Sequence, residues 1–184
     1  LKLQRILAKR PKKRDYSEQG IVKDVKENAK MIAQCDKFVC IARHSMESFT
    51  SICRIDAKKT VLINNALKDC YIPVDEEEKR ILRHKYYIQE GVPLLMFAGR
   101  LDEVKGIVFL IQAFRKVLET YKNARLLIAG DGSFNRWMKE AKDIWSQVIF
   151  TGRIEKEVLY ELYHIADMGI VCSLHEEFGF VAIE

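Results

Sequence analysis

Apolar positions along the chain recur with two periods, and the change from one to the other divides it. Ile21, Val22, Val25, Ala29 and Ile32 recur at helical spacing among polar neighbours, which predicts an amphipathic helix over residues 18–33. Phe38 to Ala42 reads as a buried strand, and Ser45 can cap a helix running to about Arg54. Thr60 to Ile63 is a second strand, rich in β-branched residues. Together these predict a βαβ unit, ended by a turn at Asn64 and Asn65, since asparagine tolerates left-handed backbone angles. Over residues 67–91 the character changes. Pro73 and an acidic cluster from Asp75 to Glu78 precede Lys79, Arg80 and Arg83, and opposed charges at helical spacing predict a short exposed helix in a connection between domains.

From Val92 the alternation is regular. Leu94–Ala98, Leu126–Ala129, Val148–Phe150 and Met168–Val171 read as strands. Between them, Ile107, Leu110, Ile111, Phe114, Val117, Leu118 and Tyr121 mark one helix face. Phe134, Trp137, Met138 and Ala141 mark a second, and Val158, Leu159, Leu162 and Ile165 a third. Alternating strands and helices predict an α/β fold: a Rossmann-like parallel sheet with flanking helices over 92–184, preceded in 1–66 by the βαβ remnant of a second Rossmann-like domain. Ligands of such sheets bind beyond the carboxyl ends of the strands. The glycine-bearing turns at Gly99, Gly130 and Gly179 all follow strands, so they are expected on that edge.

Composition narrows the class. With 184 residues and 48% hydrophobic content there is enough apolar material for a substantial core. The apolar stretches are far shorter than the roughly 20 residues of a membrane span. Five cysteines without a C-x-x-C pair fit neither a disulfide framework nor a zinc site, and each is expected to be a small buried hydrophobe in a reducing cytoplasm. The net charge of +5 is uneven. Lys2, Arg5, Lys9, Arg10, Lys12, Lys13 and Arg14 precede the first acid, and 31 bases less these seven leaves 24 against 26 acids. A solvated face or loose end is the commoner meaning of such a run; peripheral contact of residues 1–14 with an anionic membrane is the alternative. Nucleic acid is not expected, because no aromatic residue is interleaved to stack on bases. Without an initiator Met, and stopping inside an apolar run, the sequence reads as a piece of a longer protein.

Candidate chemistry gathers in two stretches. The turn G-R-L-D-E-V-K-G, Gly99 to Gly106, brings two cations to the end of a strand. Arg100 offers a planar fork and Lys105 a mobile point charge, a pair able to neutralise a diphosphate. It is no Walker loop, and Gly130-Asp131-Gly132 lacks the third glycine of a dinucleotide fingerprint. The second stretch, Cys172 to Glu184, is C-S-L-H-E-E-F-G-F-V-A-I-E. It reads as strand, glycine turn and helix start, a junction whose unpaired N–H groups and helix dipole suit an anion.

As a set, G-R-L-D-E-V-K-G, L-I-Q-A-F, L-L-I-A-G-D-G, V-I-F-T-G-R, Y-H-I-A-D-M and S-L-H-E-E-F-G-F-V-A-I-E resemble the C-terminal donor-binding domain of a group 1 (family 4) glycosyltransferase of GT-B fold. C-D-K-F-V-C-I-A-R-H-S and K-T-V-L-I-N-N-A resemble the end of that family's N-terminal, acceptor domain. The resemblance implies retaining, metal-independent, hexosyl-type transfer from a nucleotide-sugar donor to an acceptor such as a glycan or lipid-linked sugar, in glycan or polysaccharide biosynthesis, at the cytoplasmic side. It places the diphosphate on Arg100 and Lys105 in the Gly99 turn. Glu176 falls near the reacting carbon and Glu184, the second carboxylate of E-x7-E, at the ribose. Backbone N–H groups of Phe178, Gly179 and Phe180 then meet the phosphates, and Arg153 and Ile154 lie beside the base. Glu176, Arg100 and Lys105 are thus the expected catalytic residues, with no metal site and no cofactor besides the substrate. No Asp-x-Asp pair occurs, consistent with metal independence.

Glu177 stands where the family usually has glycine, Ala66 follows Asn65 where glycine is usual, and Cys172 stands where proline is common. The first departure keeps a non-catalytic nucleotide-binding module of the same fold as an alternative. A glycosidase pair is weakened by spacing, because eight positions on one helix rise about 12 Å, beyond the roughly 5 to 9.5 Å such carboxylates need. His175 adjoins the expected site, and like His44, His84 and His164 it is read as a surface or packing residue. Lacking most of the acceptor domain, the sequence is expected to be inactive alone.

Overall fold

The computed structural model describes residues 17–67, 72–176 and 178–184. The basic run of residues 1–14, Cys70 and Glu177 lie outside the described residues. The chain separates into two compact units, one ending at Ala66 and the other beginning at Leu67.

The first unit contains helices α1 (Glu18–Glu27) and α2 (Ala29–Gln34), strand β1 (Phe38–Cys40), helix α3 (Arg43–Ser51) and strand β2 (Thr60–Leu62). β1 and β2 pair in parallel, Phe38 opposite Thr60, so the βαβ pattern is present. Three details differ from the sequence expectation. The single helix over 18–33 is broken at Asn28, where φ is −105° and ψ 11°; its N–H still makes the helical bond to the Asp24 carbonyl at 3.0 Å, and its side-chain amide competes for the same carbonyl at 2.7 Å. Ser45 is not the N-cap, because only two residues separate β1 from α3 and the helix begins at Arg43 on an extended Ala42. Nor is β1 fully buried: Cys40 is, while Val39 is exposed.

The second unit is a three-layer α/β/α sandwich. Strands β3 (Leu94–Ala98), β4 (Arg125–Ala129), β5 (Val148–Gly152) and β6 (Met168–Gly169) form an all-parallel sheet in the order β5-β4-β3-β6. Side chains alternate across a strand, so β3 sends Leu95 and Phe97 to one face and Leu94, Met96 and Ala98 to the other. The first face packs on α5 (Ile107–Thr120) and α6 (Phe134–Glu140) through Ile107, Ile111, Phe114 and Trp137. The second packs on α7 (Lys156–Ile165) through Leu162 and Ile165. With both faces covered, the β3 and β4 sequences have to be continuous apolar runs rather than alternating ones.

Helix α4 (Glu76–Lys85) lies in the stretch expected as a connection, and it packs against α7 in this unit. Its ends follow helix electrostatics: the Asp75 carboxylate accepts the Glu78 N–H at 2.8 Å, acids fill the first turn and bases the last. It is not wholly exposed, since Arg83 is buried with its guanidinium among backbone carbonyls. Of the described cysteines only Cys40 is fully buried; Cys35, Cys53 and Cys172 are half-buried, and all four are free thiols.

Candidate functional site at the carboxyl ends of the strands

The turn after β3 is built around a buried backbone. Leu101 is fully buried; its N–H donates to the Asp131 carbonyl at 2.8 Å, and its own carbonyl accepts from Ser133 N–H at 3.0 Å and the Trp137 indole at 2.9 Å. With its centre bolted down, the turn carries Arg100 and Asp102 outward, where Arg100 Nη2 lies 3.2 Å from Asp102 Oδ2. The other oxygen of Asp102 accepts the Lys105 N–H at 3.0 Å and so caps the single 3₁₀ turn Glu103–Lys105. Gly106 then reverses the backbone into α5 with φ 72°, and a Cβ there would sit 2.0 Å from the Cys172 carbonyl oxygen. Both the left-handed angle and the close approach require glycine. Gly106→Ala is therefore expected to cost at least about 2 kcal/mol, a fall of roughly 4–8 °C in unfolding temperature, measurable by differential scanning calorimetry.

The close approach joins the two stretches singled out in the sequence. Leu174 N–H donates to the Val104 carbonyl at 2.7 Å, and the Cys172 thiol to the Lys105 carbonyl at 3.2 Å. Across this seam Lys105 Nζ lies 2.5 Å from Glu176 Oε1, which also accepts from Ser173 Oγ at 2.6 Å. The Lys105 side chain is 19% exposed and that of Glu176 32%, so the pair is partly shielded from solvent. Burial pushes the Glu176 carboxyl up, but the Lys105 ammonium and the Ser173 hydroxyl outweigh it and hold the group below the ordinary carboxylate value. Burial pushes the Cys172 thiol up, so it is a neutral donor to the turn rather than a thiolate.

A cleft of about 390 Å³ opens beside the turn, lined by Gly99, Arg100, Gly130, Asp131, Arg153, Ile154, Val181 and Glu184 among others. Its floor is the carboxyl end of β3 and β4, where Gly99 N–H donates to the Ala129 carbonyl and Gly130 N–H to the Gly152 carbonyl, both at 2.9 Å. Gly130 permits this packing, since a Cβ there would lie 1.8 Å from the Gly99 carbonyl oxygen. The β4–β5 register slips at Ala129, which pairs with Gly152 while Ile128 pairs with Phe150. The extra residue, Thr151, turns the backbone so that Arg153 and Ile154 face the cleft.

Of the residues expected in the site, Gly99, Arg100, Arg153, Ile154 and Glu184 share this cleft. Lys105 and Glu176 are brought to each other rather than to its lining. Phe178 and Phe180 lie outside the lining, with rings 5.1 Å apart. Gly179 has φ 73° and opens a 3₁₀ turn, Phe180–Ala182, and the Glu184 N–H then donates to the Phe180 carbonyl at 2.9 Å. The opening N–H groups of this turn have no acceptor inside it. Sequence reasoning missed Asp102 as the cap of the turn, Ser173 as the second partner of Glu176, and Tyr163, whose hydroxyl donates to Glu184 Oε2 at 3.2 Å. Only Asp102 carried a signal, an aspartate three residues before the amide it caps.

A parallel sheet covered on both faces, with cations and glycine turns at its carboxyl edge, defines the second unit as a Rossmann-like α/β domain. Residues 78–184 match the family of glycosyl transferases group 1, and the chain belongs to that family. An uncharacterised glycosyltransferase of Methanocaldococcus jannaschii is 31% identical over 151 residues, 79% of this chain and 38% of its own length. The lipopolysaccharide 1,2-N-acetylglucosaminetransferase of Salmonella typhimurium is 35% identical over 114 residues, 56% of this chain and 30% of its own. In structure the chain is similar to the Anabaena protein HepE, solved in complex with UDP and glucose, with a TM-score of 0.73 at 17% identity over 90% of this chain and 45% of that one. The fold is thus that of GT-B glycosyltransferases, and the chain spans less than half the length of each of these three proteins.

Proposed function

We propose that the intact protein transfers a sugar from a nucleotide diphosphate donor to an acceptor, and that the second unit holds the donor. The observation that carries the reading is the seam between the two stretches: Lys105 and Glu176 meet at 2.5 Å where the turn bearing Arg100 borders the cleft. Cleaving a sugar–phosphate bond develops negative charge on the departing diphosphate. Cations and N–H donors fixed in advance stabilise that charge most where water is excluded. Arg100 is well disposed for the diphosphate, its side chain 75% exposed and steered by Asp102. Lys105 adds a second positive charge and keeps Glu176 ionised, so that the carboxylate can stabilise positive charge developing at the reacting carbon. Glu184, Arg153 and Ile154 are left to receive the nucleoside, with the N–H groups of Phe178, Gly179 and Phe180 toward the phosphates.

The reading includes retention of configuration at the anomeric carbon, hexosyl transfer and independence of metal, as in the group the sequence resembles. Its setting is glycan or polysaccharide synthesis in the cytoplasm, favoured by four free thiols among the described residues. The seven cations of residues 1–14 would supply peripheral contact with an anionic membrane. Among the described residues no helix is long and apolar enough to cross one.

The test is an assay of the intact protein for sugar transfer or donor hydrolysis with UDP-, GDP- and ADP-sugars, with and without EDTA. Turnover with one donor, unchanged by the chelator, is expected. The absence of turnover with every donor would contradict the reading, and loss of activity in EDTA would overturn the metal-independent part of it.

A further inference from the structure

Tyr163 is a polar residue that the reading above leaves without a task. It lies on α7, half-buried against the apolar cluster that contains Leu162 and Ile165, with its ring 6.4 Å from that of Tyr160. Its hydroxyl donates to Glu184 Oε2 at 3.2 Å. Glu184 in turn lines the cleft with Arg153, Ile154 and Val181. We infer that Tyr163 is the positioning residue for Glu184, fixing its carboxylate so that the cleft prefers a ribonucleotide to its 2′-deoxy counterpart.

The donor count supports this. An ionised carboxylate offers about four lone-pair sites and no donor. The phenol occupies one of them on Oε2, leaving Oε1 and the remaining site on Oε2 for two neighbouring hydroxyls, which is what a ribose 2′,3′-diol presents. Burial, and then the nearby Glu184 carboxylate, push the Tyr163 phenol above its ordinary range, so it remains a donor at any working pH and never becomes a repelling anion. Holding one rotamer of a flexible glutamate in advance removes part of the ordering cost of binding a ligand. A discriminating hydrogen-bond site also loses much when its ligand lacks a hydroxyl, because a polar group is then left unpaired.

The inference rests on the donor-site reading, and the experiment separates the two. Dissociation constants of UDP, GDP and ADP and of their 2′-deoxy forms are measured on the intact protein, its Tyr163→Phe variant and its Glu184→Gln variant. Wild type is expected to bind one ribonucleotide about tenfold tighter than its deoxy form, the scale of one hydrogen bond to a charged group. Tyr163→Phe, which keeps the ring and its packing, is expected to weaken the ribonucleotide about tenfold and leave the deoxy form unchanged. Glu184→Gln is expected to lose the same preference. A ribonucleotide preference that survives in either variant would overturn the inference, as would an equal loss for both nucleotides in Tyr163→Phe, the mark of a merely structural role. If wild type binds a nucleotide without distinguishing the two sugars, the inference falls while the donor site stands; if it binds none of the three, the donor-site reading itself falls.

Discussion

Lys105→Ala is expected to lower kcat of the intact enzyme by about 10²- to 10³-fold, the usual cost of deleting one fixed donor to a developing oxyanion. Two losses combine in this variant. The departing diphosphate loses a positive charge, and Glu176 loses the partner at 2.5 Å that keeps it ionised and oriented. The second loss has its own signature in pH. The Glu176 carboxyl sits below its ordinary value in the folded protein, so what it contributes is present above the ordinary carboxylate range and is lost as pH falls through the depressed value. Without Lys105, burial still opposes ionisation and the largest stabiliser of the carboxylate is gone, with Ser173 and the nearby His175 remaining, so the acid limb of the rate profile moves to higher pH. Steady-state kcat and kcat/KM as a function of pH check both effects. A kcat within a few-fold of wild type, with an unmoved acid limb, would show that the seam is scaffolding only.

A large effect on stability is expected at Arg83. Its guanidinium donates to the Ile165 carbonyl at 3.0 Å, the Gln89 carbonyl at 3.3 Å and the Val92 carbonyl, and lies 3.4 Å from Asp167 Oδ2. Asp167 also accepts the Leu94 N–H at 2.8 Å, so one buried cation joins α4, the end of α7 and the starts of β3 and β6. Arg83→Met keeps the apolar stem but orphans the Ile165 and Val92 carbonyls and breaks the Asp167 contact, while the Gln89 carbonyl keeps the Val92 N–H at 3.3 Å. At about 1 kcal/mol or more per orphaned carbonyl, a loss of roughly 2 kcal/mol is expected. Asp167 is itself 44% exposed and keeps Lys79 nearby at 3.7 Å, so its own penalty is modest. Urea unfolding should show the midpoint falling with an unchanged slope. A loss under about 1 kcal/mol would mean that water replaces the guanidinium at these carbonyls.

Arg83 also shows where sequence stops short of structure. Its place among the bases that follow the acidic cluster Asp75 to Glu78 reads as a solvated helix face, yet its partners at Ile165 and Asp167 lie 82 and 84 residues away, and no local rule reaches that far. What was legible depends on burial on both sides. Leu94–Ala98 and Leu126–Ala129 announce a covered parallel sheet because no polar residue interrupts them, and the Ile107, Ile111 and Phe114 stripe announces its helix. The glycine turns likewise follow strand ends. A poorly legible feature was decided by one side-chain hydrogen bond: the Asn28 break in the first helix. At the site, Arg100, Lys105, Glu176 and Glu184 stand out in sequence as charged residues in glycine turns. That Lys105 and Glu176 pair across 71 residues, or that Tyr163 meets Glu184, depends on how the two strand ends are brought together.

If the carboxyl edge of this sheet is a nucleotide-sugar donor site with Lys105 in it, nucleotides must stabilise the fold through that lysine. This is tested most directly by thermal unfolding of the intact protein with millimolar UDP, GDP and ADP, wild type beside Lys105→Ala. A ligand at 100 times its dissociation constant adds about 2.7 kcal/mol to stability. One nucleotide is expected to raise the unfolding temperature of wild type by several degrees and that of Lys105→Ala by much less. No shift with any of the three, or a shift that Lys105→Ala leaves intact, would contradict the assignment.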